Sequence, residues 1–231
     1  MKKGRQVHCQ VYRENEEPLK VRYDTHRWGA MDRDVILAAE KAALRVMMIA
    51  RRQSVSAKSR AAMSEAIAGY VIALPEVVNA RHIHLYLSIP ALAEVSTSAI
   101  IDALDAMDKQ LSVPVIRNGE LLTAAFKKGD PLRPAEFGQP EPEEILVADE
   151  LHLDVVLIPL LAFDERGHRI GYGKGFYDRF LRRLSLKGVN PCRIGLSFLQ
   201  QKVDAVPSDF CDELLDEVVH ENGIIRFNSN F

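Results

Sequence analysis

Apolar residues recur at helical spacing in some segments of the chain and form short alternating or continuous runs in others. Asp and Ser residues that can cap a helix precede the first two helical segments, which begin at Asp32 or Asp34 and at Ser54 or Ser56. These helices are predicted to extend to about residue 52 and to just before Pro75, and two more cover 98–110 and about 175–184. The predicted strands cover 82–87, 113–116, 121–126, 153–158, 193–197, 217–219 and 224–227.

The run LDVVLI at 153–158 is almost continuously apolar, which is typical of a parallel strand covered on both faces. Because strands alternate with helices, the pattern predicts an α/β fold: a single three-layer domain, with a mostly parallel sheet and helices on both faces. We assign residues 32–231 to this domain and residues 1–31, which are polar and irregular, to an N-terminal extension. The proline-rich segment 131–142 is predicted to be a loop.

Composition narrows the functional classes. The 231 residues include 30 Lys and Arg against 32 Asp and Glu, a net charge of −2, which argues against a general nucleic-acid or membrane-surface binder. No apolar run is long enough to span a membrane, and no apolar stretch follows the basic N-terminus as in a signal peptide. The three cysteines form no CxxC pair, so a disulfide framework or zinc ribbon is not expected and a reducing, cytoplasmic location is.

The segment most suggestive of chemistry, PLLAFDERGHRIGYGKGFYDRFL, directly follows the buried strand 153–158. Three closely spaced glycines, Gly171, Gly173 and Gly175, let the backbone approach a ligand, and the helix that begins there offers free N–H groups. Lys174 adds a cation, so the loop is a candidate polyphosphate cradle in which Asp178 could hold a divalent metal. A tight strand-to-helix turn packed by its aromatic residues is the alternative, since the spacing is neither that of a Walker A loop nor GxGxxG.

The run AFDERGHRIGYGKGFYDRFL resembles the signature of the 5-formyltetrahydrofolate cyclo-ligase family, also called methenyltetrahydrofolate synthetases. Residues 163, 164, 167, 169–171 and 173–178 fit its pattern of FD-x-x-G-x-R-(L/I)-G-x-G-(G/K)-G-(Y/F)-Y-D. Supporting segments occur in the family's order: KAALR at 41–45, YLS at 86–88, EVST at 94–97, PEP at 140–142, IGL at 194–196 and the tail from Pro207. The resemblance covers about residues 35 to 227.

The resemblance implies a cytoplasmic enzyme that uses ATP and Mg²⁺ to convert 5-formyltetrahydrofolate into 5,10-methenyltetrahydrofolate, by phosphorylation of the formyl oxygen and ring closure by N10. It implies a fold similar to the ribose-phosphate isomerase and CoA transferase group, and a monomer or weak homo-oligomer. It assigns Lys174 and Arg169 to catalysis; Lys41, Arg45, Arg169, Gly171, Gly173, Lys174, Gly175, Phe176 and Tyr177 to the nucleotide; Glu94, Tyr172 and Phe176 to the folate; and Asp178 and Asp212 to Mg²⁺.

The sequence departs from the family pattern at four places, one of which is Lys174, where Gly is frequent although Lys also occurs. The loop Ile89–Ala93 is longer than usual, which leaves the alignment of Glu94 open, and Cys211 and His220 replace a frequent His and Thr. Two other functions therefore remain under consideration. One is a diverged enzyme acting on another one-carbon or thiamine-related compound; the other is a non-catalytic nucleotide-binding module that uses residues 1–31 to bind a partner.

Overall fold

The computed structural model describes residues 33–227. The chain divides into two compact units, residues 1–38 and 39–231, and the first is described only at 33–38. The predicted N-terminal extension 1–31 lies outside the described residues. No helix within 33–227 is long and apolar enough to cross a membrane.

The helices are α1 (Arg33–Gln53), α2 (Ala57–Ala73), α3 (Pro75–Asn79), α4 (Ser98–Ala106) and α5 (Phe176–Leu186). The strands are β1 (His82–Leu85), β2 (Gln110–Arg117), β3 (Glu120–Phe126), β4 (Leu132–Pro134), β5 (Pro140–Pro142), β6 (Val155–Pro159), β7 (Ala162–Phe163), β8 (Arg169–Ile170), β9 (Cys192–Leu196), β10 (Glu217–His220) and β11 (Gly223–Arg226). The four predicted helices and seven predicted strands are thus all present. The short α3 and the two small hairpins, β4–β5 and β7–β8, were not predicted.

Two sequence predictions are wrong in detail. The helix predicted over 98–110 ends at Ala106, because Asp108 adopts a left-handed backbone with φ of 55°, and Gln110 already begins β2. The proline-rich segment 131–142 is not wholly a loop, since β4 and β5 pair antiparallel from Leu132↔Pro142 to Pro134↔Pro140. Proline is tolerated there because this two-stranded ribbon has only edge strands.

A seven-stranded sheet with the order β11-β10-β9-β6-β1-β2-β3 forms the centre of the fold. Strands β10, β9, β6, β1 and β2 run parallel, whereas β11 and β3 add antiparallel edges through hairpins. The predicted mostly parallel sheet is confirmed. Its central strand pairs align Ile83 with Val155 and Leu157 with Ile194.

Successive residues of β6 contribute to two separate apolar clusters, as its continuous apolar run predicts. Val155 and Leu157 belong to a cluster that contains residues of α2 and α4, whereas Val156 and Ile158 belong to a cluster that contains residues of α5. Because side chains alternate across a strand, the two clusters lie on opposite faces of the sheet. The predicted three-layer α/β domain is therefore confirmed.

The strand order reverses direction between β1 and β6. From β1 the chain continues outward to β2 and β3, whereas β6, β9 and β10 build the sheet on the other side. In open α/β sheets a ligand binds in the crevice beyond the carboxyl ends of the strands at such a switch point. The topology thus points to the ends of β1 and β6, where Tyr86 and Pro159 lie.

Candidate active site

A cavity of ≈ 550 Å³ lies at this switch point. Tyr86 and Leu87 after β1, Ile116 on β2 and Pro159 at the end of β6 contribute to its wall. The wall also includes every residue that the sequence analysis assigned to a site: Lys41, Arg45, Glu94, Arg169, Gly171, Tyr172, Gly173, Lys174, Gly175, Phe176, Tyr177, Asp178 and Asp212. The structure brings these residues together, and their individual roles stay predictions.

The glycine loop between β8 and α5 owes its shape to two of its three glycines. Gly173 has a φ of +90° and Gly175 a φ of +65°, both in a region that side chains disfavour. A Cβ at Gly173 would lie 2.9 Å from Cζ of Arg45, so the guanidinium packs directly on this backbone. Gly175 is the N-cap of α5 and supplies no side chain to the first N–H groups of that helix, which stay available to an anion.

Helix α1 contributes two cations, Lys41 and Arg45, which lie one turn apart on the same face as predicted. Lys41 Nζ donates to Asp212 Oδ2 at 2.6 Å and to Asp209 Oδ2 at 2.9 Å. Burial opposes the charge on Lys41, but these hydrogen bonds outweigh burial and raise the pKa of the ammonium group. Arg45 Nε donates to the carbonyl oxygen of Gly171 at 3.0 Å, which ties α1 to the glycine loop.

A second ion pair, between Arg169 and Asp178, lies in the same wall. Arg169 Nη2 donates to Asp178 Oδ1 at 2.7 Å, and its Nη1 donates to the carbonyl oxygen of Glu213. Asp178 Oδ1 also accepts from the backbone N–H of Glu213 at 3.2 Å. The side chain of Arg169 is 5% exposed and that of Asp178 is 31% exposed, so the carboxylate is the more accessible partner.

The two predicted magnesium ligands, Asp178 and Asp212, therefore line one cavity, and each is paired with a cation. Within 33–227 no group of three or more His, Cys, Asp and Glu side chains could hold a metal. Mg²⁺ commonly takes only one or two carboxylates and completes its shell with water and phosphate oxygens. Two accessible carboxylates in a wall that also carries four cations fit that mode of binding.

A buried carboxylate, Glu94, lies at another part of the wall. Its Oε1 accepts from the hydroxyl of Tyr172 at 2.9 Å and its Oε2 accepts from the backbone N–H of Ile89 at 2.7 Å. Burial raises the pKa of Glu94, although both hydrogen bonds act in the opposite direction. The loop 89–93 thus contacts Glu94 through Ile89, and Glu94 faces the cavity, where Ile89 and Leu92 add apolar surface.

The β4–β5 hairpin supplies wall residues that sequence reasoning missed: Phe137, Gln139 and Pro140. Phe137 packs on Phe176 with ring centroids 5.8 Å apart, and Lys174 Nζ lies 5.4 Å from the centroid of Phe137. The available signal was an aromatic residue in a segment already noted for PEP at 140–142. The prolines of that segment favour a loop, and a loop gives no reason to place Phe137 at the site.

Cys211 and His220, which stand where the resemblance expects His and Thr, do not line the cavity. Cys211 is exposed, and His220 is buried on β10. The wall instead combines four cations, an uncapped helix N-terminus, accessible carboxylates and an apolar surface. Such a cavity can hold a polyphosphate with a divalent metal beside an aromatic, partly apolar second ligand.

Comparisons with known proteins agree with this geometry. The sequence profile of the 5-formyltetrahydrofolate cyclo-ligase family matches residues 37–221. The 5-formyltetrahydrofolate cyclo-ligase of Haemophilus influenzae is 30% identical over 175 residues, which are 73% of this chain and 90% of that protein. The Mycolicibacterium smegmatis protein of the same name is 33% identical over 188 residues, 78% of this chain and 87% of its own. The NMR structure of Aquifex aeolicus 5,10-methenyltetrahydrofolate synthetase superposes with a TM-score of 0.71 at 27% identity, covering 83% of this chain and 94% of that one.

Proposed function

This chain belongs to the 5-formyltetrahydrofolate cyclo-ligase family, and we propose that it converts 5-formyltetrahydrofolate into 5,10-methenyltetrahydrofolate at the cavity, with ATP as cosubstrate and Mg²⁺ as cofactor. One observation carries the proposal: cations, carboxylates and an uncapped helix N-terminus share one wall with an apolar surface and a buried carboxylate. That combination suits a nucleoside triphosphate beside a reduced pterin.

The proposed reaction needs ATP because the oxygen of an N-formyl group is a poor leaving group. The formyl oxygen attacks the γ-phosphorus of ATP, the bond to the bridging oxygen breaks, and ADP leaves. N10 of the folate then attacks the activated formyl carbon and loses its proton, and the carbon–oxygen bond breaks to release phosphate. The chemistry demands positioning and charge neutralisation more than a protein nucleophile.

The cations of the wall suit the phosphates. Arg45 reaches the glycine loop from α1, Lys41 lines the same cavity, and Lys174 lies within the loop. We assign Lys174 and Arg169 to the charge that develops on the transferred phosphoryl group, and the N–H groups at the start of α5 to the remaining phosphate oxygens. Lys174 lines the cavity with its Nζ 5.4 Å from the centroid of the Phe137 ring.

Asp178 and Asp212 are the residues that would hold Mg²⁺. When bound, Mg²⁺ supplies charge neutralisation at the phosphate oxygens and orients them for in-line transfer. The two carboxylates keep their places through backbone N–H donors, from Glu213 to Asp178 and from Asp209 to Asp212. These donors hold the carboxylates in position whether or not their side-chain cations stay in contact.

The folate is assigned to the wall formed by Glu94, Tyr172 and Phe176. The ring of Phe176 offers an aromatic surface on which a pterin can stack, and Glu94 offers acceptor oxygens for its N–H donors. Ile89 and Leu92 extend the apolar surface, which is the part of the wall where this chain departs from the family pattern.

An absorbance assay for the methenyl product tests the proposal. Purified protein is mixed with 5-formyltetrahydrofolate, Mg²⁺ and ATP, and a parallel reaction omits ATP. We expect an ATP-dependent rise in near-ultraviolet absorbance, and a fall in turnover of roughly a hundredfold or more in Lys174→Ala and Asp178→Asn. Asp178→Asn keeps an oxygen that can accept from Arg169, so the fold should persist. Arg182→Ala is the control, since Arg182 is an exposed α5 residue outside the cavity wall.

The outcomes separate the alternatives. No product, with nucleotide binding retained in calorimetry, would refute the folate assignment and favour a diverged enzyme with another substrate. Wild-type turnover in both variants would refute the assignment of Lys174 and Asp178. Nucleotide binding without turnover on any offered one-carbon substrate would favour the non-catalytic binding module.

A further inference from the structure

Arg52, in the last turn of α1, is a buried cation that the family signature does not include. The residue is only 2% exposed, whereas its neighbour Arg51 is exposed. Its Nη1 donates to the carbonyl oxygen of Leu160 at 3.2 Å and its Nη2 donates to the hydroxyl of Tyr172. Its Nε is buried without a hydrogen-bond partner among residues 33–227.

The acceptor that anchors Arg52 is itself fixed. The carbonyl oxygen of Leu160 also accepts from Nε2 of Gln201 at 3.2 Å, and the same nitrogen donates to Leu161 at 2.8 Å. Gln201 is 1% exposed, so this side of the guanidinium lies in packed interior. The hydrogen bond from Nη1 to Leu160 therefore fixes the guanidinium, and Nη2 points to the hydroxyl of Tyr172.

The direction of the remaining hydrogen bonds follows from donor chemistry. A guanidinium only donates, so the Tyr172 oxygen accepts from Arg52 and its own proton is left for Oε1 of Glu94, 2.9 Å away. The backbone N–H of Ile89 occupies the other oxygen of Glu94. Arg52 thus sets the orientation of the Tyr172 hydroxyl, and that hydroxyl sets the position of the Glu94 carboxylate.

We propose that Arg52 is a positioning residue for the folate substrate, acting through Tyr172 on Glu94. The proposal rests on the folate assignment made above. A purely structural role does not explain the residue, because burying a charge with an unpaired N–H donor is unfavourable. An apolar side chain would fill the site at a lower cost in free energy. A site that must hold an acceptor carboxylate at one position within an apolar wall does explain it.

Steady-state kinetics give the first test. We expect Arg52→Met to raise KM for 5-formyltetrahydrofolate at least tenfold, while KM for ATP stays within twofold of wild type. Arg52→Lys keeps the charge and is expected to recover part of the loss. Arg51→Met is the matched control, because Arg51 is exposed and donates to the carbonyl oxygen of Gln200, outside the cavity wall. An unchanged folate KM in Arg52→Met, or equal losses for ATP and folate, would overturn the proposal.

A double-mutant cycle distinguishes positioning from packing. Tyr172→Phe removes the hydroxyl that links Arg52 to Glu94 and should raise the folate KM to a similar extent. Adding Arg52→Met to Tyr172→Phe should then change the folate KM less than twofold, since the link is already broken. Multiplicative losses would show that Arg52 acts independently of Tyr172 and would refute the relay. If Arg52→Met fails to fold, the same cycle is run with Arg52→Lys.

The pH dependence offers a readout that packing would not move. Within residues 33–227, the titratable or charged groups that interact with Glu94 are Arg52, Tyr172, Tyr86 and Tyr177. Since the positive charge of Arg52 favours ionised Glu94, Arg52→Met should shift the acidic limb of kcat/KM for folate to higher pH. An unshifted limb would count against the proposal. Absence of wild-type turnover would instead refute the folate assignment, and the Arg52 proposal with it.

Discussion

Replacement of Gly173 by alanine tests how the glycine loop is built. The family signature treats Gly171 and Gly173 alike, but the structure separates them. Gly173 has a φ of +90°, and a Cβ there would meet Cζ of Arg45 at 2.9 Å. Apart from its two chain neighbours, a Cβ at Gly171 would have no atom of residues 33–227 within 4 Å, and φ there is not in the left-handed range. Gly173→Ala should therefore destabilise the protein, and Gly171→Ala should not.

The magnitude follows from two contributions. An alanine forced into left-handed backbone costs ~1–2 kcal/mol. Arg45 must also move away from the new methyl group and lose its 3.0 Å hydrogen bond to Gly171, which adds ~1.5 kcal/mol because the donor is charged. The sum of roughly 3 kcal/mol corresponds to a fall in Tm of about 6–12 °C for a chain of this size.

Urea denaturation and thermal melting measure both variants. Gly171→Ala should match wild type or gain up to ~1 kcal/mol, since alanine restricts the unfolded chain. In an Arg45→Ala background, Gly173→Ala should cost only the backbone contribution of ~1–2 kcal/mol, because nothing remains to be displaced. Equal free energies of unfolding for Gly171→Ala and Gly173→Ala would refute the reasoning, and an undiminished loss without Arg45 would refute the displacement of the guanidinium.

Two further predictions concern buried carboxylates. Glu141, 1% exposed, accepts from Arg117 at 2.8 Å and from the backbone of Ile116 at 2.9 Å; Glu141→Ala should cost ~2 kcal/mol and speed proteolysis of the β4–β5 hairpin, which exposed Glu144→Ala should not. Burial opposes the charge of Asp164, but its hydrogen bonds outweigh burial and lower its pKa. The ionised Asp164 thus stabilises the fold above about pH 4, and this stabilisation is lost as pH falls through the lower folded pKa. Asp164→Asn should cost ~3 kcal/mol at pH 7 and weaken the fall in the free energy of unfolding at acid pH, measured by urea denaturation. An unchanged acid dependence would contradict this.

Local sequence patterns determine much of this fold. The continuous apolar run at 153–158 requires cover on both sides, and β6 indeed contributes to a cluster on each face of the sheet. The glycine loop directly follows β8 and leads straight into α5, so chain connectivity alone places it at the start of that helix. Lys41 and Arg45 share one face of α1 for the same local reason.

Features that depend on tertiary packing could not be predicted. Arg51 and Arg52 are adjacent in the sequence and look alike, yet the first is exposed and the second is 2% exposed. A residue with a left-handed backbone follows the end of many helices and is usually glycine. After α4 that residue is Asp108, so the sequence gives no glycine to mark the end of the helix. Phe137 reaches the cavity because the proline-rich segment folds back as a hairpin, whereas its proline content predicts a loop.

The pairing of the charged residues shows why identifying a residue is not the same as predicting its contacts. The resemblance assigns Lys41 to phosphate and Asp212 to metal, yet the two side chains are joined at 2.6 Å, and Arg169 and Asp178 are joined at 2.7 Å. Each of these two predicted phosphate ligands thus neutralises a predicted metal ligand. Under the proposed function, the phosphate oxygens of a nucleotide would pair with Lys41 and Arg169. Its Mg²⁺ would bind the carboxylates of Asp212 and Asp178 that these two cations release. If the nucleotide bound without Mg²⁺, or Mg²⁺ without the nucleotide, breaking these ion pairs would leave a partly buried charge unpaired.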